Sequence, residues 1–188
     1  ENQTPLSVGD SFSEKLISQI SLKIKNEKHQ VIAEHIIGNL DESGYLRRDL
    51  FNIVDDLAFS QNIFTTEEEL LLVLLEVQQL DPPGVGARNL KECLLIQLRK
   101  KKKTISTKTA EVILEKCFDA FIKKHFNKIE KKLDIDKIAI KQAISEIVKL
   151  NPKPGNSLID TSKSIHQITP DFTIFENDGE ISVELNQR

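Results

Sequence analysis

The sequence predicts an all-α protein with two small helical bundles, followed by a short C-terminal β-hairpin. Three observations support this fold class. Apolar residues recur at helical spacing from Phe12 to Leu150. A helix that ends in Leu-(Asp/Asn)-Pro and a Pro/Gly turn occurs twice, at 80–82 and again 70 residues later at 150–152. After residue 170 the apolar pattern changes to the alternation that is typical of strands.

The repeated helix ending allows two interpretations. Two related helical bundles explain it better than one bundle of eight helices, although any two amphipathic helices stopped by proline resemble each other. We therefore expect four segments along the chain. These are a linker at 1–10, a first helical subdomain at 11–103, a second at 104–155, and a linker with a hairpin at 156–188.

Five helices are expected in the first subdomain, each with a local start or stop signal. The expected capping pairs are Ser11 with Glu14, Thr65 with Glu68, and Asn89 with Glu92. Gly44 suits a left-handed turn after the second helix. Leu71, Leu72 and Leu75 widen the apolar face of the fourth helix. This helix is therefore expected to be buried on more than one side.

The second subdomain is expected to contain three helices. The first has about four turns, and its inward positions are Ala110, Ile113, Cys117, Phe121 and His125. Asn127 is expected to cap a short helix through Leu133, and Asp136 to cap the last one. That helix ends at Asn151 because a residue before proline disfavours the helical conformation.

The tail contains two segments of alternating apolar residues, 171–175 and 180–184. The residues between them include Asn177-Asp178-Gly179, and Asp-Gly is a frequent hairpin turn. The tail is therefore expected to form one β-hairpin.

The net charge of −3 over 188 residues hides an uneven distribution. Residues 1–98 carry 16 acidic and 8 basic side chains, residues 99–150 carry 7 and 15, and residues 151–188 carry 6 and 3. The segments therefore have net charges of −8, +8 and −3. Such asymmetry indicates a partner with charged patches of its own.

Several function classes are disfavoured. No apolar run approaches the ~20 residues that cross a bilayer, so no membrane partner is expected. Cys93 and Cys117 lie at apolar helix positions, which indicates reduced core residues and a cytoplasmic protein. They do not have zinc-ligand spacing, and the four histidines do not complete a site. Because the chain begins at Glu1 and contains no methionine, we expect it to be a piece of a longer protein.

No constellation of residues predicts an enzyme. The glycines at 84 and 86 follow a helix rather than a strand, and Gly-Lys-Ser/Thr does not follow them, so a structural turn is favoured over a phosphate loop. The acidic run Glu67-Glu68-Glu69 suits the first turn of a helix. No serine or cysteine is paired with a histidine by a known motif. We therefore expect no catalytic residue, no cofactor and no small-molecule substrate.

The basic run from Arg99 to Lys103 is the most concentrated charge feature of the sequence. It suits contact with phosphate or with an acidic protein surface. It equally suits a solvated helix C-terminus, where cations are favoured. The sequence does not decide between these interpretations.

Four segments resemble the sigma-54 family of bacterial alternative sigma factors, and they occur in the family order. The most specific is Leu80-Asp-Pro-Pro-Gly-Val-Gly-Ala-Arg-Asn-Leu-Lys-Glu-Cys-Leu-Leu-Ile-Gln-Leu98. The others are Leu40-Asp-Glu-Ser-Gly-Tyr-Leu46, Leu150-Asn-Pro-Lys-Pro-Gly155, and Ile168-Thr-Pro-Asp171 with Val183-Glu-Leu-Asn186. The resemblance spans residues 11 to 187. Asn89, Lys153 and Thr169 are mild departures from the family pattern.

The resemblance implies that the chain is the domain that docks a sigma factor on core RNA polymerase. The full-length factor would hold polymerase at −24/−12 promoters until an AAA+ activator remodels the complex. Its glutamine-rich N-terminal region and its DNA-binding C-terminal elements are missing from this sequence. The tail at 156–188 would lead toward that DNA-binding region. The implied setting is the bacterial cytoplasm, with core polymerase, promoter DNA and the activator as partners.

The candidate site residues form two groups. Candidates for polymerase contact are Arg88, Lys91, Arg99, Lys100, Lys101, Lys102 and Lys103. Turn residues that shape alone would explain are Asp41, Gly44, Tyr45, Asp81, Pro82, Pro83, Gly84, Gly86, Asn151, Pro152, Pro154 and Gly155. The alternative function is an autonomous nucleic-acid-binding domain that uses the basic segment 99–150.

Overall fold

A computed structural model describes residues 11–156 and the backbone of two strands in the tail. The helices of the described part are α1 (Phe12–Lys23), α2 (Glu27–Gly38), α3 (Leu50–Gln61), α4 (Glu67–Val77), α5 (Leu90–Lys100), α6 (Ile105–Lys116), α7 (Phe118–Ile122), α8 (Phe126–Leu133) and α9 (Lys137–Val148). The strands are β1 (Phe172–Asn177) and β2 (Glu180–Leu185). The prediction of a helical body is confirmed.

The helix starts follow the side chains that cap them. Ser11 and Glu14 form the predicted capping box of α1, and Asn89 caps α5 by accepting from the backbone N–H of Glu92. The cap of α4 is Thr66, one residue later than predicted, and the Thr65 hydroxyl instead donates to the Glu69 carboxylate. Local capping chemistry thus determines most of the helix starts.

The predicted four-turn helix of the second subdomain is wrong in its second half. The backbone of Cys117 leaves the helical conformation, and the chain continues as the separate five-residue α7. His125 is exposed rather than inward, and it occupies the position before α8. Asn127, predicted as the cap of the short helix, lies inside α8 instead.

The buried apolar side chains form two main clusters. The first contains the inward faces of α1 to α4 together with Leu80 and Val85. The second contains the inward faces of α5, α6, α8 and α9 with Cys117 and Leu150. Helix α5 therefore packs with the second cluster, although the sequence assigns it to the subdomain 11–103. The subdomain bounds stay predictions, and this packing favours a division before α5.

The expectation that α4 is buried on more than one side is wrong. Leu70, Val73, Leu74 and Val77 point into the first cluster. Leu71, Leu72 and Leu75 are 37%, 62% and 47% exposed. The helices with the most contacts to α4 are α2 and α3.

The two strands of the tail pair antiparallel, with Phe172 opposite Leu185 and Asn177 opposite Glu180. The turn residues 178–179 lie outside the described residues, so the hairpin stays a prediction. The expected linkers at 1–10 and 157–171 also lie outside them. Within the described part of the chain, no helix is long and apolar enough to cross a membrane.

Candidate functional site

The three motif turns of the sequence meet at one place, which we call the turn junction (41–46, 82–87 and 151–155). Its centre is the turn after α2. The Asp41 side chain accepts from the backbone N–H of Tyr45 at 2.8 Å, and the Asp41 carbonyl accepts from the N–H of Gly44 at 2.8 Å. Gly44 has a φ of +86°, which L side chains rarely adopt. The predicted left-handed turn is confirmed.

The second turn joins the first through backbone hydrogen bonds. The Gly86 N–H donates to the carbonyl of Gly44 at 2.9 Å, and the Leu46 N–H donates to the carbonyl of Ala87 at 3.0 Å. Gly86 also has a positive φ, of +72°. Preceding it, the backbone of Asp81 exchanges two hydrogen bonds of 2.8 Å with the side-chain amide of Gln19 on α1.

The third turn approaches the first from the second cluster. The Gly155 N–H donates to the carbonyl of Ser43 at 3.0 Å, and the Tyr45 hydroxyl donates to the carbonyl of Pro152 at 2.6 Å. A Cβ atom on Gly155 would overlap the carbonyl of Glu42. Burial is the main reason that the pKa of the Tyr45 hydroxyl is raised, so Tyr45 remains a neutral donor.

Gln97 on α5 completes the junction. Its side-chain amide donates to the carbonyl of Asn151 at 2.7 Å and accepts from the Asn151 N–H at 2.9 Å. Gln97 is only 6% exposed and also contacts the thiol of Cys93, whose pKa is raised by burial. Sequence reasoning missed Gln97. The available signal was a glutamine within an otherwise apolar stretch of α5.

The junction gives a structural role to most of the motif turn residues. Gly84 has a φ of +97°, and a Cβ atom there would lie 2.7 Å from the Cys93 sulfur. Pro154 is buried beside Gly44. Most of these residues serve backbone geometry and close approach, so they connect the two clusters.

The polymerase-contact candidates Arg88 and Lys91 contact the protein itself. Arg88 forms two 3.0 Å side-chain hydrogen bonds with the carboxylate of Glu92. Burial opposes ionisation of Glu92, but hydrogen bonds from Arg88 and Gln78 still hold the pKa of that carboxyl below its usual range. The Lys91 ammonium donates to the carbonyl of Glu115 at 2.9 Å.

The basic run from Arg99 to Lys103 is also largely engaged within the chain. Its ion pairs are Arg99 with Glu111 and Glu115, Lys101 with Glu146, and Lys103 with Glu111. The Lys100 ammonium donates to the carbonyls of Gln79 at 3.0 Å and Leu80 at 2.9 Å. In the described part of the chain, Lys102 is the one residue of this run whose side chain forms no hydrogen bond or ion pair.

These contacts give the basic run a role within the fold, which neither interpretation from the sequence included. It ties α5 to α6, to α9 and to the end of α4. Burial lowers the pKa of the Lys100 ammonium. Lys100 is the cation that donates to the two backbone carbonyls after α4. Whether the run also contacts polymerase stays a prediction.

Several lysines with no ion pair among the described residues lie farther along the chain. They are on or beside α7 to α9, at Lys123, Lys124, Lys128, Lys131 and Lys141. All five are exposed. Sequence reasoning found the +8 segment, but it did not show that most of the basic run has partners within the chain, because those ion pairs are non-local.

The fold and the junction define the class of the protein: a helical module of two apolar clusters joined by three interlocking turns. The family model described as "Sigma-54 factor, core binding domain" matches residues 2–188. The chain therefore belongs to the sigma-54 family of transcription initiation factors, as its sequence motifs predict.

Curated relatives agree with this assignment. The chain is 37% identical to the RNA polymerase sigma-54 factor of Acidithiobacillus ferridurans over 157 residues, which is 82% of this chain and 31% of the relative. It is 35% identical to that of Rhizobium meliloti over 177 residues, covering 94% and 32%. It is 30% identical to that of Bacillus subtilis over 169 residues, covering 90% and 36%. The chain thus spans about a third of the length of these relatives.

Proposed function

We propose that this chain binds core RNA polymerase and thereby docks a sigma-54 type factor on the enzyme. The observation that carries the proposal is the match of residues 2–188 to a core binding domain. The two clusters held by the turn junction support it, since a rigid helical module can present surfaces on both clusters to a large partner. The proposed role is binding and assembly rather than catalysis, without a cofactor or a small-molecule substrate.

The charge distribution supports a partner with differently charged surfaces. Described residues 11–98 carry 14 acidic and 8 basic side chains, whereas 99–150 carry 7 and 15. Complementary charge speeds diffusional encounter and fixes orientation more than it adds affinity. The two clusters would therefore contact separate regions of the polymerase. Arg88, Lys91 and the basic run remain candidate contacts within this proposal.

The finer parts of the proposed function concern the full-length factor. It would hold polymerase in a closed complex at −24/−12 promoters, and an AAA+ activator would remodel that complex. Promoter DNA and the activator would contact regions outside this chain. The proposed setting is the bacterial cytoplasm.

The test is direct binding of the 188-residue chain to purified core polymerase. We expect a complex at low micromolar concentration or below, seen as co-elution in size-exclusion chromatography and by biolayer interferometry. A comparison variant is Gly155→Val, whose side chain would overlap the carbonyl of Glu42 and disrupt the turn junction. It should reduce both the affinity for polymerase and the stability of the chain. If the folded wild-type chain does not associate at low micromolar concentration, the proposal is wrong.

A second candidate function is autonomous binding of nucleic acid, which the five exposed lysines without ion pairs favour. It predicts a mobility shift of DNA without polymerase, with an affinity that falls steeply with salt. Replacing Lys123, Lys124 and Lys128 with glutamine should weaken that binding. Replacing Lys100 to Lys103 should weaken it less, because most of those side chains have partners in the chain. An unchanged affinity in the first variant would exclude this function.

A further inference from the structure

A groove lies between α8 and α9 in the described part of the chain. It has a volume of about 380 Å³ and a mostly apolar lining, in which Phe126, Ile140 and Ile144 take part. Ile140 is buried and Phe126 is 39% exposed. The groove therefore exposes part of the second cluster to solvent, and covering it would remove apolar surface from water.

The surroundings of this groove are strongly basic. Lys137 and Lys141 line it, and Lys124 and Lys128 line an adjoining depression that shares Phe126. The one carboxylate in this combined lining is Glu130, whose oxygen lies 4.0 Å from the Lys137 ammonium. Four lysines thus surround an apolar groove with a single acidic side chain. Such a surface is complementary to a ligand that is apolar on one side and acidic beside it.

We propose that the α8–α9 groove binds an amphipathic helix with large apolar side chains flanked by Asp or Glu. Helices recognised in apolar grooves insert residues spaced i, i+3, i+4 and i+7, and the groove volume suits two or three such side chains. The lysines would orient the helix through its acidic positions. Resting on the proposed function, we assign this helix to core RNA polymerase.

Two other occupants fit less well. Nucleic acid would use the lysines but leave most of the apolar lining uncovered, because Phe126 is the single aromatic residue that lines the groove. A second copy of the chain could offer α4, whose exposed Leu72 and Leu75 lie near acidic residues. Both occupants are outcomes of the experiments below.

The first experiment tests the ligand chemistry without polymerase. The ¹⁵N-labelled 188-residue chain is titrated with a synthetic helical peptide that has Leu at i, i+4 and i+7 and Glu on its flanks. The controls are the same peptide with Lys for Glu, and a short DNA duplex. We expect the acidic peptide to shift the amide signals of 124–130 and 137–144, and the basic peptide to leave them unchanged. Absent shifts, equal shifts with both peptides, or stronger shifts with DNA would overturn the proposal.

The second experiment measures affinity for core polymerase with matched pairs of variants. Phe126→Asp and Lys141→Glu alter the groove. Phe59→Asp and Lys108→Glu make the same changes at exposed positions on α3 and α6. We expect Phe126→Asp to weaken binding about tenfold and Lys141→Glu about threefold, with the controls near wild type. Urea unfolding establishes that each variant is folded. If Phe126→Asp does not fold, the result for Lys141→Glu decides the test.

The outcomes separate the two proposals. If the wild-type chain does not bind polymerase, the proposed function fails, while the peptide titration still tests the groove. If the wild type binds and both groove variants bind equally well, the assignment of the groove to polymerase is overturned. The wild type could instead dimerise in analytical ultracentrifugation, and Lys141→Glu could abolish the dimer. That result would identify a second copy of the chain, rather than polymerase, as the occupant of the groove.

Discussion

Gly44 at the centre of the turn junction provides a stringent test of the structure. Replacing it with alanine places a Cβ atom on a residue whose φ is +86°, where a side chain costs about 1–2 kcal/mol. The same Cβ atom would lie 3.1 Å from the backbone nitrogen of Gly155 and 3.3 Å from Pro154. Both neighbours belong to the opposing turn, so relieving the contact requires the turns to separate slightly, at roughly 1 kcal/mol.

We therefore expect Gly44→Ala to lower the free energy of unfolding by about 2–3 kcal/mol. Urea unfolding followed by far-UV circular dichroism measures this loss, and with a slope of roughly 2 kcal/mol/M the midpoint falls by about 1 M. Tyr45 is the single tyrosine and the chain has no tryptophan, so its fluorescence reports on the junction itself. Both probes should give the same midpoint.

The matched control is Gly38→Ala at the end of α2. A Cβ atom there meets nothing within 4 Å, and alanine favours the helix by up to about 1 kcal/mol. We expect Gly38→Ala to be neutral or slightly stabilising. If Gly44→Ala instead lies within about 0.5 kcal/mol of wild type, the left-handed turn and its contact with Gly155 are not as described.

Three further predictions concern single contacts. Tyr45→Phe removes the hydrogen bond to Pro152 and should cost about 1 kcal/mol in urea unfolding. Lys100→Ala should cost about 1 kcal/mol because it leaves two carbonyls after α4 without their cation, whereas Lys102→Ala should change stability by less than about 0.5 kcal/mol. The pKa of Glu111 is held below its ordinary 4.5 first by Lys103 and then by Arg99, so its stabilisation is complete above the ordinary value and disappears as pH falls through the lowered one. Glu111→Gln should therefore reduce the loss of stability as the pH falls below the ordinary value of 4.5.

Each of these predictions has a result that contradicts it. Equal effects of alanine at Lys100 and Lys102 would mean that the carbonyl contacts do not stabilise the fold. The control is Glu34→Gln, at an exposed position on α2. If Glu111→Gln loses stability at low pH as much as this control does, then Glu111 does not cause the acid sensitivity. A loss in Tyr45→Phe well above 2 kcal/mol would show that the hydroxyl has a role beyond one hydrogen bond.

Local signals in the sequence predicted where helices begin better than they predicted which elements pack against each helix. Ser11 and Asn89 begin helices because their side chains bind backbone N–H groups three residues away, and that spacing is visible in the sequence. The burial of Leu72 and Leu75 depends on which helices pack around α4, and no local pattern contains that information. The break at Cys117 is likewise invisible, because its flanking residues keep helical spacing.

The candidate site shows the same division. The positive φ of Gly44 followed from residue type and turn context. The ion pair of Lys101 with Glu146 joins residues 45 positions apart, and it depends on the residue after α5 lying near α9. A run of like charges in a sequence therefore does not identify a free charged surface. Only the three-dimensional arrangement showed that several lysines near α8, among them Lys124 and Lys128, have no ion pair.

The residues that identify the family are therefore poor choices for mapping its contacts. The backbones of Gly44, Gly86 and Gly155 form the hydrogen bonds between the turns, so substitutions there change the fold before they change a binding surface. A loss of polymerase binding in such variants should be accompanied by a proportional loss of stability. Substitutions in the α8–α9 groove should instead reduce binding while the free energy of unfolding stays near wild type. The loss of binding can be plotted against the loss of stability for the junction variants and the groove variants. Two separate trends would distinguish a structural motif from a contact surface. If both sets fall on one line, the groove variants affect binding only through the stability of the fold.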